Sequence, residues 1–216
     1  MFTRFWRQPP VRVPQSGDEI VLPEPIKESK TSLESALLGR RSVRTYTNQA
    51  LGIAEVGQLM WAAQGVNRPG GYRTAPSAGA LYPLEVYLLA GQVDGLEAGL
   101  YHYLPEKHAL ERSWTSDNRS ELSAAALNQE SIAKAPAVIV ITAIYSRTMG
   151  KYGQRGDQYV HMEVGGAAQN VYLQAVSLEL GTVFIGAFHD DQVQSALGLA
   201  KEEIPLCLMP VGFPAE

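Results

Sequence analysis

From Asp157 to Leu180 the chain runs without a proline, and Val160, Val164, Ala167, Ala168, Val171, Ala175 and Leu178 recur at offsets of three and four. That spacing predicts one apolar face of an α-helix, roughly 36 Å long at 1.5 Å per residue. Any fold for this chain has to house so long a one-sided helix. Gly165, Gly166, Ala167 and Ala168 fall in its first half, where each glycine costs about 1 kcal/mol against alanine. Close approach by another backbone or by a flat ligand explains such a waist, and so does a core helix crossing another at small residues. The helix alone leaves both readings open. A buried strand follows, ending in Ile185-Gly186-Ala187.

Around this feature the pattern alternates without strict βαβ order. A short helix follows Ser32 and stops at Gly39, another runs through Ile53, Val56, Met60 and Ala63, and others are expected near 119–127, 157–180 and 190–197. Strands are expected at Leu84–Ala90, Leu100–Tyr103, Ala109–Arg112, Ala137–Ile144, Thr182–Phe188 and Ile204–Gly212, with a hairpin at Leu104-Pro105-Glu106-Lys107. Gly65, Pro69, Gly70 and Gly71 predict a mobile loop. Prolines 9, 10, 14, 23 and 25 make residues 1–30 an extended arm, and residues 31–216 read as one domain. The class expected is α+β, a sheet covered by helices.

Composition narrows the functions. At 216 residues, 45 % hydrophobic, 19 % charged and net charge −4, the chain reads as globular and lacks the concentrated basic face that nucleic acid requires. MFTRFWRQPP has no signal-peptide core and no apolar run approaches a membrane span, so a soluble, cytoplasmic protein is expected. Cys207, the single cysteine, lies in the run IPLCLMPVG and is expected to be a buried, inert thiol. His102, His108, His161 and His189 are scattered, so no metal site is expected. No G-x-S-x-G elbow or P-loop is present, and the glycines at 65–79 follow a helix rather than a strand.

What remains is an anion site. Arg40, Arg41 and Arg44 surround Ser42 in a loop leaving a helix, and guanidinium groups with a hydroxyl suit phosphate. A solvated basic turn would have the same composition.

Taken together, Arg40-Arg41-Ser42-Val43-Arg44, Pro76-Ser77-Ala78-Gly79-Ala80-Leu81-Tyr82-Pro83, Lys151-Tyr152-Gly153, and Gly166-Ala167-Ala168-Gln169-Asn170 through Gly181-Thr182-Val183-Phe184-Ile185-Gly186 resemble the FMN-dependent nitroreductase superfamily. The nearest branch is that of the azoline dehydrogenases of thiazole/oxazole peptide maturation (SagB/ThcOx type). Weaker agreement runs from Ile20-Val21-Leu22-Pro23 through Gly99-Leu100-Tyr101-His102-Tyr103 to Gly212-Phe213-Pro214.

The resemblance implies a nitroreductase-like three-layer α/β/α sandwich with a mixed, largely antiparallel central sheet, in an intertwined homodimer with FMN at the interface. It implies that Arg40, Arg41 and Ser42 hold the FMN phosphate and ribityl chain and that Arg44 faces the pyrimidine edge. Pro76, Ser77, Ala78, Gly79, Ala80 and Leu81 would lie beside the ring, with Ile185, Gly186 and Ala187 facing N5 and O4. The helix's small residues would then pack against the dimer mate and the flavin groove. Two departures stand out. Ala80 replaces an asparagine usual in nitroreductases, and with Glu216 two residues after Pro214, phosphate affinity would rest on the Arg40–Arg44 loop.

Lys151 and Tyr152 match a pair thought to remove a proton in the azoline branch, and a desolvated lysine can serve as a base. A surface loop is the plain alternative. Tyr82 and Trp61 are expected to be packing residues. The expected activity is hydride transfer through flavin N5 to or from a small organic substrate, with NAD(P)H as a candidate reductant. The alternatives are azoline-to-azole oxidation of a modified peptide with dioxygen as acceptor, and a flavin-binding accessory protein without turnover.

Overall fold

A computed structural model describes residues 19–215; most of the expected N-terminal arm, residues 1–18, lies outside them. The strands are β1 (Glu19–Val21), β2 (Val66–Arg68), β3 (Tyr72–Arg73), β4 (Leu84–Ala90), β5 (Gly99–Leu104), β6 (Ala109–Thr115), β7 (Ala137–Ala143), β8 (Gly181–Thr182) and β9 (Ile204–Gly212). The helices are α1 (Leu33–Gly39), α2 (Ile53–Gln64), α3 (Arg119–Ala125), α4 (Glu130–Lys134), α5 (Ser146–Tyr152), α6 (Arg155–Ser177) and α7 (Asp190–Leu197). Seven strands form one sheet in the order β1-β6-β5-β4-β7-β9-β8. Every pairing between its strands is antiparallel. Among the described residues, parallel pairing enters only as isolated bridges, Ser42 to Thr182 and Leu51 to Val93.

β7, AVIVITA, lies in the middle of the sheet and is buried at every position, as an apolar run without alternation suits a strand covered on both faces. Its odd-numbered residues Ile139 and Ile141 join α2 and α6 in one core, and Val138 and Val140 join α3, α4 and α7 in the other. The result is the three-layer arrangement expected. On α6 the stripe from Val160 through Ala175 faces the first core. No helix among the described residues is long and apolar enough to cross a membrane. Cys207 is fully buried, and burial pushes its thiol far above the ordinary range.

Several expectations change. The glycine-rich segment expected to be a loop forms the β2–β3 hairpin. The strand expected over Thr182–Phe188 is cut short after Thr182. Ile185 resumes the same antiparallel register against Leu208, but between them the strand meets Pro210, which has no N–H to give the ladder. The Pro210 carbonyl instead accepts from Thr182 Oγ1 at 2.9 Å and Tyr46 Oη at 3.0 Å.

Lys151 and Tyr152 do not lie in a loop; they close α5, and Gly153 at φ 57° ends it. Within one copy of the chain, a backbone close approach on α6 falls at Gly156, about two and a half turns before Gly165. A Cβ on Gly156 would stand 2.9 Å from Met149 Cα, whereas one on Gly165 would meet nothing within 4 Å, and one on Gly166 only Pro76 Cδ at 3.7 Å. Gly156 is therefore where α5 and α6 pack backbone to backbone.

Candidate active site

The predicted residues gather in two clusters on different sides of α6. The first is at the end of α1. Arg40 caps that helix, its N–H donating to Ala36 O at 3.0 Å, and its guanidinium lies 5.3 Å from the Tyr172 ring centre. Val43 N–H donates to Thr182 O at 2.9 Å, so the basic segment is laid along β8. Tyr172 Oη joins the pieces: it accepts the Phe184 N–H at 2.7 Å and lies 3.3 Å from Ser42 Oγ. Arg41, Ser42 and Arg44 are exposed, as are Gly186 and Ala187, while Ile185 is buried. A Cβ on Gly186 would meet only Phe184 Cε1, at 3.4 Å. A flat ligand could therefore approach this backbone, and exposed cations stand on the same sheet edge.

The second cluster is the loop Pro76–Tyr82, whose middle is a single 3₁₀ turn over Ala78–Ala80. Gly79, Ala80 and Tyr82 all have left-handed backbone, at φ 63°, 54° and 45°. Such backbone is costly outside glycine and needs outside support. Ser77 supplies part of it: Oγ accepts Tyr82 N–H at 2.9 Å and the carbonyl accepts Ala80 N–H at 3.1 Å. Arg147 of α5 donates to Tyr82 O at 3.0 Å and pairs with Glu85 at 2.5 Å.

Over this loop come Lys151 and Tyr152, so close that a Cβ on Gly79 would lie 2.8 Å from Tyr152 Oη and 3.0 Å from Lys151 Nζ. Lys151 Nζ is 5.4 Å from the Tyr152 ring centre, and Tyr152 meets Tyr159 edge-on at 5.1 Å. Both side chains can thus reach one point above a backbone too crowded for any side chain of its own. Pro76 and Ala80 are exposed, and Ala78 and Leu81 half-buried.

α6 links the clusters. Gly166 faces Pro76, and Tyr172, six residues on, faces Ser42, about 9 Å along the axis and about 120° around it.

Sequence reasoning passed over Tyr172, Glu163, Gln64 and Arg73. Glu163 carried a legible signal, a carboxylate three residues after Val160 and four before Ala167 on the buried stripe. Tyr172 carried none, since its role depends on where Phe184 and Ser42 arrive. Tyr82 is more than packing: Arg73 lies over its ring, 4.5 Å from the centre.

Comparison with known proteins bears on the family and the fold. The sequence profile of the Nitroreductase family matches residues 37–213. A nitroreductase-like protein of Methanocaldococcus jannaschii is 50 % identical over 198 residues, 92 % of this chain and 98 % of that one. The microcin B17-processing protein of Escherichia coli is 31 % identical over 160 residues, 71 % of this chain and 59 % of its own. Among solved structures, a nitroreductase-like protein from Ralstonia eutropha superposes with a TM-score of 0.82 at 31 % identity, over 95 % of this chain and 96 % of that one. With the profile spanning both clusters and the sheet between them, the chain is a member of the nitroreductase family.

Proposed function

We propose that this protein is an FMN-dependent oxidoreductase, with each flavin held between two copies of the chain. When bound, FMN supplies hydride acceptance at N5, with negative charge gathering at its N1–O2 edge. Arg40, Arg41 and Ser42 would hold the phosphate and ribityl chain, and Arg44 would place a fixed cation where that charge gathers. Gly186 and Ala187 present backbone with open space above it, which suits a planar ring. The observation that carries the reading is the Arg40–Ser42 segment fastened beside Phe184–Gly186 through Tyr172 and Thr182.

The second cluster, with Pro76 through Leu81, lies on another side of α6. One ring touching both is best served by a second copy. The exposed Leu33, Leu37 and Leu38 of α1, Met162 of α6 and Phe184 are apolar surface that such a homodimer would cover. Lys151 and Tyr152 would handle the substrate proton, because they converge over Gly79 while remaining near solvent. NAD(P)H is the proposed reductant.

A second reading, oxidation of an azoline in a modified peptide, is favoured by the Lys151–Tyr152 convergence and by the likeness to a microcin-processing protein. An absorbance spectrum of the chain with FMN, followed anaerobically by NADH or NADPH, tests the proposal. Bound flavin bleached by either nucleotide is the expected result. Bound flavin inert to both, yet bleached by an azoline peptide, would favour the second reading, and absence of bound flavin would overturn both.

A further inference from the structure

Beneath the Pro76–Tyr82 loop lies a group to which the flavin reading gives no task. Glu163 is only 3 % exposed. Around its carboxyl stand Gln64 of α2, Arg73 of β3 and Ser77 of the loop. Arg73 Nη1 donates to Gln64 Oε1 at 3.0 Å, yet Gln64 Nε2, Arg73 Nε and Glu163 Oε1 have no hydrogen-bond partner among the described residues. The same groups grip the loop. Ser77 Oγ takes the Tyr82 N–H, the Arg73 N–H donates to Tyr82 Oη at 3.3 Å, and the Arg73 guanidinium lies over the Tyr82 ring. The left-handed backbone of Ala80 and Tyr82 needs such outside support.

We propose that Glu163 is a positioning residue. From below, through Ser77 and Arg73, its carboxyl sets the closed form of the 76–82 loop and so the place of Gly79 beneath Lys151 and Tyr152. The use of that device in catalysis rests on the flavin reading; the loop's own behaviour does not.

The direction of its effect follows from protonation. Burial pushes the Glu163 carboxyl up to about 7, against the weaker opposite pull of Ser77, Arg73 and Gln64. Opening the loop to water returns it toward the ordinary 4.5. Between those values the open form binds fewer protons than the closed form, so closure weakens as pH rises, by up to tenfold per pH unit. Above about 7 it levels off. The surrounding charges are part of this balance. Burial holds Arg73 below its ordinary value, with Glu85, Glu106, Tyr82 and Glu163 opposing. Glu85 is bonded in turn to His102 at 2.7 Å and to Arg147.

Hydrogen–deuterium exchange of residues 76–83 in the full chain without flavin, corrected for intrinsic rates, reads this directly. Opening in the native chain should rise by up to about 100-fold between pH 5 and 7.5. It should be flat in Glu163→Gln and keep its slope in His102→Gln. A native slope surviving in Glu163→Gln overturns the proposal, as does a slope lost in His102→Gln. Carbon-13 titration of the native Glu163 carboxyl needs no variant: a midpoint coinciding with the exchange transition supports the proposal, and a titration that leaves the loop's exchange unmoved sinks it. Flavin binding is scored separately. Normal binding with a pH-independent loop defeats this inference alone, and a pH-dependent loop in a chain that binds no flavin defeats only the proposed function.

Discussion

Arg40, Arg41, Ser42 and Arg44 stand at least partly exposed on backbone fastened to the sheet edge, whereas Gly79, Ala80 and Tyr82 hold left-handed backbone above a buried carboxyl. The first region offers charges on ordinary backbone, so the anion binding proposed for it should be screened by salt. The second works by shape: its loop holds its place through Ser77, Arg73 and Arg147, and by the proposal above it should respond to titration of Glu163. If both belong to the proposed flavin site, one region should answer to ionic strength and the other to pH.

The sharpest way to separate them is Gly156→Val. Its Cβ would meet Met149 backbone, so α5 must move away from α6, at about 3 kcal/mol. Thermal melting should fall by roughly 6–12 °C, and the Lys151–Tyr152 pair should leave Gly79 while the Arg40 region stays in place. If exchange in 40–44 rises as much as in 146–153, the regions are not independent.

Tyr172→Phe attacks the other side. It strips the acceptor from the Phe184 N–H and the contact from Ser42, a loss of about 0.5–1.5 kcal/mol for a part-buried hydrogen bond. Denaturant unfolding measures it, and exchange at 76–83 should be unaffected. Lys151→Ala should lower turnover by about 10²-fold or more if the amine transfers the proton, with the melting temperature moving little because the side chain is exposed. Normal turnover would remove Lys151 from the chemistry. Ser42→Ala is the mildest, a few tenths of a kcal/mol for a long, part-buried contact, visible chiefly as weaker retention of an anion in a salt titration.

Much of this was legible from periodicity and turn chemistry. β4 and β9 fall on the boundaries expected from their apolar runs, α1 begins where Ser32 Oγ accepts the Ser35 N–H, and α7 spans 190–197 as expected. Local signals mislead where a partner decides. Pro210, far along the chain, interrupts the strand after Thr182. Lys151 and Tyr152 carry solvent-friendly chemistry, yet they form the last turn of α5, which Gly156 lets pack against α6. Packing within the chain also requires a glycine at 156, which the run of small residues at 165–168 did not mark.

The sequence by itself determined the class of fold, the one-sided helix, the buried central strand and the residue types able to bind an anion. These follow from hydrophobic period and side-chain chemistry, which each residue carries wherever it goes. Tertiary structure alone decided that Tyr172 ties Ser42 to Phe184, that Lys151 and Tyr152 meet over Gly79, and that Glu163 lies beneath the same loop. Those relations join residues far apart in the chain, and distance, burial and the resulting shift in proton affinity exist only once the backbone has brought them together.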